Sequence, residues 1–411
     1  MPMMDIYAKK LKIGGAYLVS GQAIQALIAF GVNLVLVRFL APEDFGRFAL
    51  ILAGATVVYS IFSLRINVLI IRTDATDLDA GAKERFLSAL GWETIFSTIL
   101  ILVWIYFSHE FGPWEVALIL AIGLRHWTDN NKAVFERRMP YRRLAIIETG
   151  TMTASNILAL VLVVSGMNWK VLFVREIFLS AALFVTFALS GGLTFSRFKF
   201  LSVEEWQGLF RDARGIWLDS VLEGSFQRIT ILLAGFIGGE RIAGFIFQAQ
   251  RLAIVPNQFL SPIASRVAGN WFARIEDRTK RIAGRDRLLL YMFFPLLIGG
   301  VLTFLFADPV VPWLFGEKWR PASELFASMA GLVVFLSMFE TIKAYCWVAK
   351  QTRWLLIGRA FQYGGLLACF GLGVMGAIEP AIALALGLSV SYGLAFVVVF
   401  CILRIVERDH G

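Results

Sequence analysis

The sequence predicts an all-α integral membrane protein, with about 12 transmembrane helices in two parallel six-helix repeats around a central cavity. Hydrophobic residues make up 58% of the 411 residues and charged residues only 17%, too little charge to cover the surface of an aqueous globular domain. Apolar runs recur between charge clusters along the whole chain. Lys and Arg crowd into every second connection between those runs, as in a chain threading a bilayer. The same composition excludes a soluble multi-domain enzyme, a disordered chain and a fibrous protein.

At roughly 20 residues per crossing, the runs place spans near 13–37, 47–71, 86–108, 113–127, 144–166, 171–193, 216–238, 242–263, 288–307, 323–347, 354–376 and 380–403. The fourth is barely long enough, yet removing it would put Arg137, Arg138, Arg142 and Arg143 on the opposite side of the membrane. The first run lacks a small-residue cleavage site and reads as a retained span.

The net charge of +9 would suggest nucleic acid in a soluble protein. Here sidedness explains it. With the N-terminus cytoplasmic, 27 of the 39 Lys and Arg fall in inside segments and 7 in outside ones. The positive-inside rule then puts both termini in the cytoplasm. The basic loops lack the stacking aromatics that nucleic acid would need. Cys346, Cys369 and Cys401 lie within spans, and His109, His126 and His410 are far apart, so neither a disulfide framework nor a metal site is expected. Asp77-Leu78-Asp79 has the form of a metal-binding acidic pair of nucleotide-sugar enzymes, but without a catalytic domain beside it the pair reads as a solvated turn. No catalytic residue and no cofactor are expected.

A shift of 198 residues lays the connection Phe39-Leu40-Ala41-Pro42-Glu43-Asp44-Phe45-Gly46 on Ile237-Gly238-Gly239-Glu240-Arg241-Ile242-Ala243-Gly244. Both are tight turns ending in a glycine that opens the next span. Six spans per half give the halves one orientation, the parallel kind of repeat whose interface holds a transporter's cavity. The expected organisation is therefore an N-terminal half (1–198), a cytoplasmic amphipathic connector (199–215) and a C-terminal half (216–411). In the connector, Ser202 and Glu205 form a capping-box signature, and Trp206, Leu209 and Phe210 share a face suited to the membrane surface. Residues 266–287, with Trp271 and Phe272 among basic residues, read the same way, and both segments are expected to meet anionic lipid.

The segment Arg38-Phe39-Leu40-Ala41-Pro42-Glu43-Asp44-Phe45-Gly46-Arg47-Phe48, following an N-terminal span, resembles the opening of the polysaccharide transporters. These are the Wzx-like oligosaccharide flippases of the MOP (multidrug/oligosaccharidyl-lipid/polysaccharide) superfamily. The likeness extends along the chain in span count, orientation and two-fold repetition. The second connection departs from the pattern, lacking the Ala-Pro pair and carrying Gly238-Gly239. The resemblance implies a flippase that moves undecaprenyl-pyrophosphate-linked oligosaccharide from the cytoplasmic to the periplasmic leaflet for O-antigen, capsule or exopolysaccharide assembly. It implies lipid-linked oligosaccharide and membrane lipids as partners, with a polysaccharide polymerase and chain-length proteins beside them.

Polar side chains at bilayer depth should face a cavity or one another. At about 100° per residue, Gln22, Gln25 and Asn33 share one arc of the first span, and Thr56, Ser60, Ser63 and Asn67 form a stripe on the second. These are candidate linings for sugar hydroxyls. Arg65, Arg228, Arg251, Lys343 and Arg359 lie within spans and are candidate partners for the pyrophosphate. Asp219 and Glu223, one turn apart with Thr230 on the same side, are a candidate proton or sodium coupling site; the alternative is neutralisation by Arg228 or Arg251. Glu340 and Lys343 are spaced to pair. Pro256 and Pro262 interrupt the eighth span and mark a candidate hinge for alternating access. A multidrug exporter of the same superfamily is the second reading, which five intramembrane cations disfavour. A membrane glycan polymerase or glycosyltransferase is the third, and no outside loop is long enough to suit it.

Overall fold

The computed structural model describes residues 21, 23–74, 77–108, 112–138, 140–262, 272, 275 and 277–408. Gln22, Trp271, His109 and His410 lie outside them. The described chain is helical: α1 (Ala23–Phe39), α2 (Pro42–Phe62), α3 (Ile66–Arg72), α4 (Ala80–Phe107), α5 (Pro113–Asn131), α6 (Ala133–Glu136), α7 (Tyr141–Val164), α8 (Lys170–Leu189), α9 (Val203–Ala253), α10 (Val255–Pro262), α11 (Arg278–Phe315), α12 (Pro321–Ser328), α13 (Ala330–Val348), α14 (Arg353–Val374) and α15 (Pro380–Arg408). No strand occurs among the described residues. Nine of the described helices are long and apolar enough to cross a membrane, and the protein is a multi-pass membrane protein.

Helix starts follow local chemistry. Pro42 opens α2, where its missing N–H costs nothing, and Asp44 reaches back to accept from the Ala41 N–H at 2.8 Å. Asp79 caps α4 by accepting from Ala82 N at 2.6 Å, so the Asp77-Leu78-Asp79 motif serves as a helix start. Ser202 and Glu205 form the expected capping box: Glu205 Oε2 accepts from Ser202 N at 2.8 Å and Ser202 Oγ from Glu205 N at 3.2 Å. Basic residues also stop helices, as Arg137 Nη1 donates to the carbonyls of Ile70 and Thr73 at the end of α3, both at 2.7 Å.

The expected connector takes a different form. Residues 203–215 are the first turns of α9, a 51-residue helix that continues into the next span. Leu209 and Ala213 are buried in a core with Leu64, Ile66, Leu69, Phe86 and Leu90, and Trp206 packs against it. Burial of an apolar stripe against protein outcompetes an interfacial resting place, because the core offers close packing as well as escape from water. In the 266–287 segment, residues 266–271, 273, 274 and 276 lie outside the described residues; Phe272 is fully buried against Tyr345, and Asp277 caps α11. The α9 helix itself bends where Gly238 and Gly239 leave helical geometry, the latter at φ 64°, a conformation glycine adopts without Cβ strain.

The chain forms two compact units. One comprises Ile51–Ser225 together with the segment ending at Phe39, the other Leu40–Leu50 together with Phe226 onward. In the first unit α8 packs against α5 and α7, and α4 against α5. In the second, α15 packs against α14 and α13, and α11 against α13. The second unit holds a reciprocal crossing. A Cβ on Gly46 would lie 1.7 Å from the Glu240 carbonyl oxygen, and one on Gly244 would lie 2.0 Å from that of Pro42. The 198-residue shift that superposes Gly46 on Gly244 also superposes Pro42 on Glu240, so the two repeat-related turns meet through equivalent positions. Trp319, fully buried, is edge-on to Phe45 at 5.6 Å and to Phe245 at 5.8 Å beside this crossing.

Candidate functional site

In the first unit, the expected second span is broken. The α2 helix ends at Phe62 and α3 begins at Ile66, with Arg65 in the left-handed conformation at φ 55° and ψ 46°. A non-glycine residue there costs about 1–3 kcal/mol and persists only when its surroundings hold it. A backbone break within a membrane helix also frees N–H groups that lipid cannot satisfy. Glu93 of α4 does so. Its Oε2 accepts from Leu64 N at 2.9 Å, and its Oε1 accepts from Ser63 Oγ at 3.3 Å. Ser63 Oγ in turn accepts from Arg65 N at 3.2 Å.

The Glu93 carboxylate is 5% exposed and also meets His126 Nε2 of α5 at 3.1 Å. The imidazole stacks on Tyr59 with ring centroids 4.4 Å apart, and Tyr59 Oη shares a 2.6 Å hydrogen bond with Thr98. The cluster thus fixes the broken segment through a chain of buried polar contacts. Arg65 interacts electrostatically with Glu223, Glu93 and Asp219. Arg65 is thus one of the cations within electrostatic range of the Asp219–Glu223 pair. Trp217 Nε1 ties α9 to α2 by donating to Ile61 O at 2.8 Å.

The polar lining residues divide. Gln25 Nε2 donates to Thr149 Oγ1 at 3.0 Å, Asn33 is 2% exposed, and Ser63 belongs to the Glu93 cluster. Thr56 hydrogen-bonds its own helix at Leu52 O. Ser60 is partly buried, as is Asn67, whose side-chain oxygen is buried. Gln22 is not among the described residues.

The remaining four candidate cations lie in the second unit. Arg228 and Arg251 are partly buried on α9, and Arg251 lies over the Phe247 ring at 5.5 Å. Lys343 pairs with Glu340 at 2.6 Å, as the spacing predicts. Arg359 is 1% exposed, donates to Gln362 Oε1 at 3.0 Å and lies over Phe339 at 5.0 Å. Thr230 is fully buried there. Pro256 sits in the first turn of α10, immediately after the helix break at Ile254, and Pro262 is that helix's last residue. At Pro256 the missing N–H falls in the helix's first turn, where it costs little.

Several intramembrane charges escape sequence reasoning. Glu93 is the main one; the single charge in the otherwise apolar stretch of α4 from Phe86 to Phe107 is the signal that marks it. Arg125, inside the expected fourth span, lies in α5 and forms an ion pair with Glu176 of α8, a pairing that spacing did not suggest. Arg175, inside the expected sixth span, lies in α8. Arg285, assigned to a loop, is fully buried in the first turns of α11. There it bonds both oxygens of Glu407 at 2.6 and 2.9 Å, while Tyr345 Oη donates to Glu407 at 2.8 Å. Among the described residues, no three His, Cys, Asp or Glu side chains converge as a metal site.

Comparison with known proteins fits this architecture. The lipopolysaccharide biosynthesis protein WzxC of Escherichia coli (strain K12) is 23% identical over 321 residues, which cover 72% of this chain and 62% of WzxC. The chain thus spans less than two thirds of that relative. Among solved structures, the lipid II flippase MurJ in an inward closed conformation superposes with a TM-score of 0.71 at 13% identity, covering 94% of this chain and 87% of MurJ. The eukaryotic MATE transporter AtDTX14 gives 0.64 at 14% identity, covering 97% and 95%. The fold is that of these membrane transporters. The polysaccharide biosynthesis protein family matches residues 35–324, most of the helical chain. On that match, the chain belongs to the polysaccharide biosynthesis protein family.

Proposed function

We propose that this protein is a flippase that moves undecaprenyl-pyrophosphate-linked oligosaccharide from the cytoplasmic to the periplasmic leaflet. The observation that carries the reading is family membership over residues 35–324 in a chain with a transporter fold. Cations held within apolar helices support it, since a pyrophosphate crossing the bilayer needs guanidinium or ammonium partners. Arg228 and Arg251 bind the pyrophosphate, with Arg65, Lys343 and Arg359 contributing charge. Gln25, Asn33, Ser60, Ser63 and Asn67, together with Gln22, meet sugar hydroxyls. The polyprenyl tail stays in lipid, and the site opens to each leaflet in turn, with bending at Pro256 and Pro262. Asp219 and Glu223, beside Arg65, bind a proton or sodium ion that drives the cycle. The products serve O-antigen, capsule or exopolysaccharide assembly with a polymerase and chain-length proteins.

The test is the double variant Arg228→Ala with Arg251→Ala in a strain lacking the wild-type copy. Expression should be unchanged, and lipid-linked sugar should fail to appear in the outer leaflet. Normal polymer export in that strain discards the site. The multidrug reading draws on the fold shared with the MATE transporter. It requires the deletion strain to become drug-sensitive with its surface glycan intact.

A further inference from the structure

A cavity of about 880 Å³ opens in the first unit between the end of α2, the middle of α4 and the first turns of α9. Its wall is aromatic: Phe62, Trp92, Phe96, Phe200, Trp206 and Phe210. Phe96 is 53% exposed and Phe200 84% exposed, so the wall opens outward. It is also built in place. Trp92 Nε1 donates to Lys199 O at 3.0 Å and its ring packs on Phe200 at 4.7 Å. The Ser202–Glu205 capping box and the Lys199–Glu205 ion pair at 2.9 Å fix the start of α9. Burial of Leu209 and Ala213 turns the opposite side of that helix outward.

That outer side carries Gln207, Arg211 and Arg214, which line the same cavity. They are spaced i, i+4 and i+7 and therefore form one polar stripe. Trp206 and Phe210, also one turn apart, form the apolar stripe beside it. Both arginines are exposed, and among the described residues neither has a hydrogen-bond or ion-pair partner. The acid in the cavity, Glu93, is already committed: its oxygens accept from Leu64 N, Ser63 Oγ and His126.

Two exposed guanidiniums one turn apart beside an aromatic wall in a membrane protein match the amphiphile that has a phosphate next to a hydrocarbon chain. We infer that this cavity binds an anionic glycerophospholipid, its phosphate on Arg211 and Arg214 and one acyl chain along the aromatic wall. A lipid-linked sugar fits less well, because the lining offers a single amide, Gln207, to a headgroup rich in hydroxyls. The bound chain lies against Phe62 and Leu64, the residues at the break after α2.

The test uses the full chain, native mass spectrometry and three probes: phosphatidylglycerol, phosphatidylcholine and a polyprenyl phosphate. Wild-type protein should retain phosphatidylglycerol about thirtyfold more than phosphatidylcholine, the preference that two basic groups near a lipid surface supply. The Arg211→Gln, Arg214→Gln variant should lose that preference, whereas Arg142→Gln, Arg143→Gln, which removes two exposed basic residues elsewhere in the same unit, should keep it. Retention of the preference without Arg211 and Arg214 overturns the inference. So does equal loss in both variants, or displacement of phosphatidylglycerol by the polyprenyl phosphate at equal concentration. Phe210→Ala should weaken retention of both phospholipids alike, and unchanged retention there removes the acyl chain from the aromatic wall.

Discussion

The two ends of α2 are held by opposite means. At its start, Gly46 and Gly244 bring backbone against backbone so closely that a single added carbon on either has no place to go. At its other end the helix is unwound, and one carboxylate, Glu93, holds it through a backbone amide, a hydroxyl and an imidazole. The first contact is a matter of shape and has one arrangement. The second is made of hydrogen bonds that join α4 to the break itself and to α5. Within one helix, then, backbone packing and side-chain hydrogen bonding are assigned to different ends, and a search for moving parts belongs at residues 63–65.

Substitutions can break each end separately. The largest effect is expected from Gly46→Ala with Gly244→Ala. Overpacking typically costs about 1–3 kcal/mol at each site, and here the neighbour is backbone, which cannot rotate away. Thermal unfolding of the detergent-solubilised protein should show a much lower midpoint, and near-wild-type stability would mean that the crossing is loose. Next comes Glu93→Ala, which leaves the Leu64 N–H without its acceptor and should cost about 1–3 kcal/mol. Glu93→Gln retains an acceptor oxygen and should recover most of that loss. Equal instability of the two variants would show that charge, not acceptance, holds the break.

The start of α9 supplies an exposed reference for these two ends. Ser202→Ala removes one arm of the capping box and should cost about 1 kcal/mol. The Lys199 ammonium and the Ser202 N–H hold the Glu205 carboxyl below its usual range. Its folded-state pKa is thus lower than in the unfolded chain, so its contribution is present above the unfolded value and is lost as pH falls through the folded one. A pH series should show this small loss in wild type and not in Glu205→Gln. An identical acid limb in both would place the effect elsewhere.

Local signals explain which parts were legible in the sequence. The capping box and the Glu340–Lys343 pair rest on residues a few positions apart, and the structure forms both. The break after α2 contains no glycine or proline. It is imposed by an acid 29 residues away from the amide it binds, and spacing carries no trace of that contact. The partners of Arg125 and Arg285 were hidden for a related reason. Charge near a span edge reads as topology, whereas each of these arginines has a carboxylate waiting on another helix. The connector was correctly amphipathic, but periodicity identifies an apolar face without naming what covers it.

The buried Arg285–Glu407 pair has a practical consequence for handling the protein. Glu407 lies near the C-terminal end of α15, so a truncation or fusion junction placed within those turns would remove it. The Tyr345 hydroxyl would then lose its acceptor and the buried guanidinium would keep only Asp286, so the loss should fall below the about 3–5 kcal/mol of a fully broken interior ion pair. Junctions therefore belong beyond Glu407.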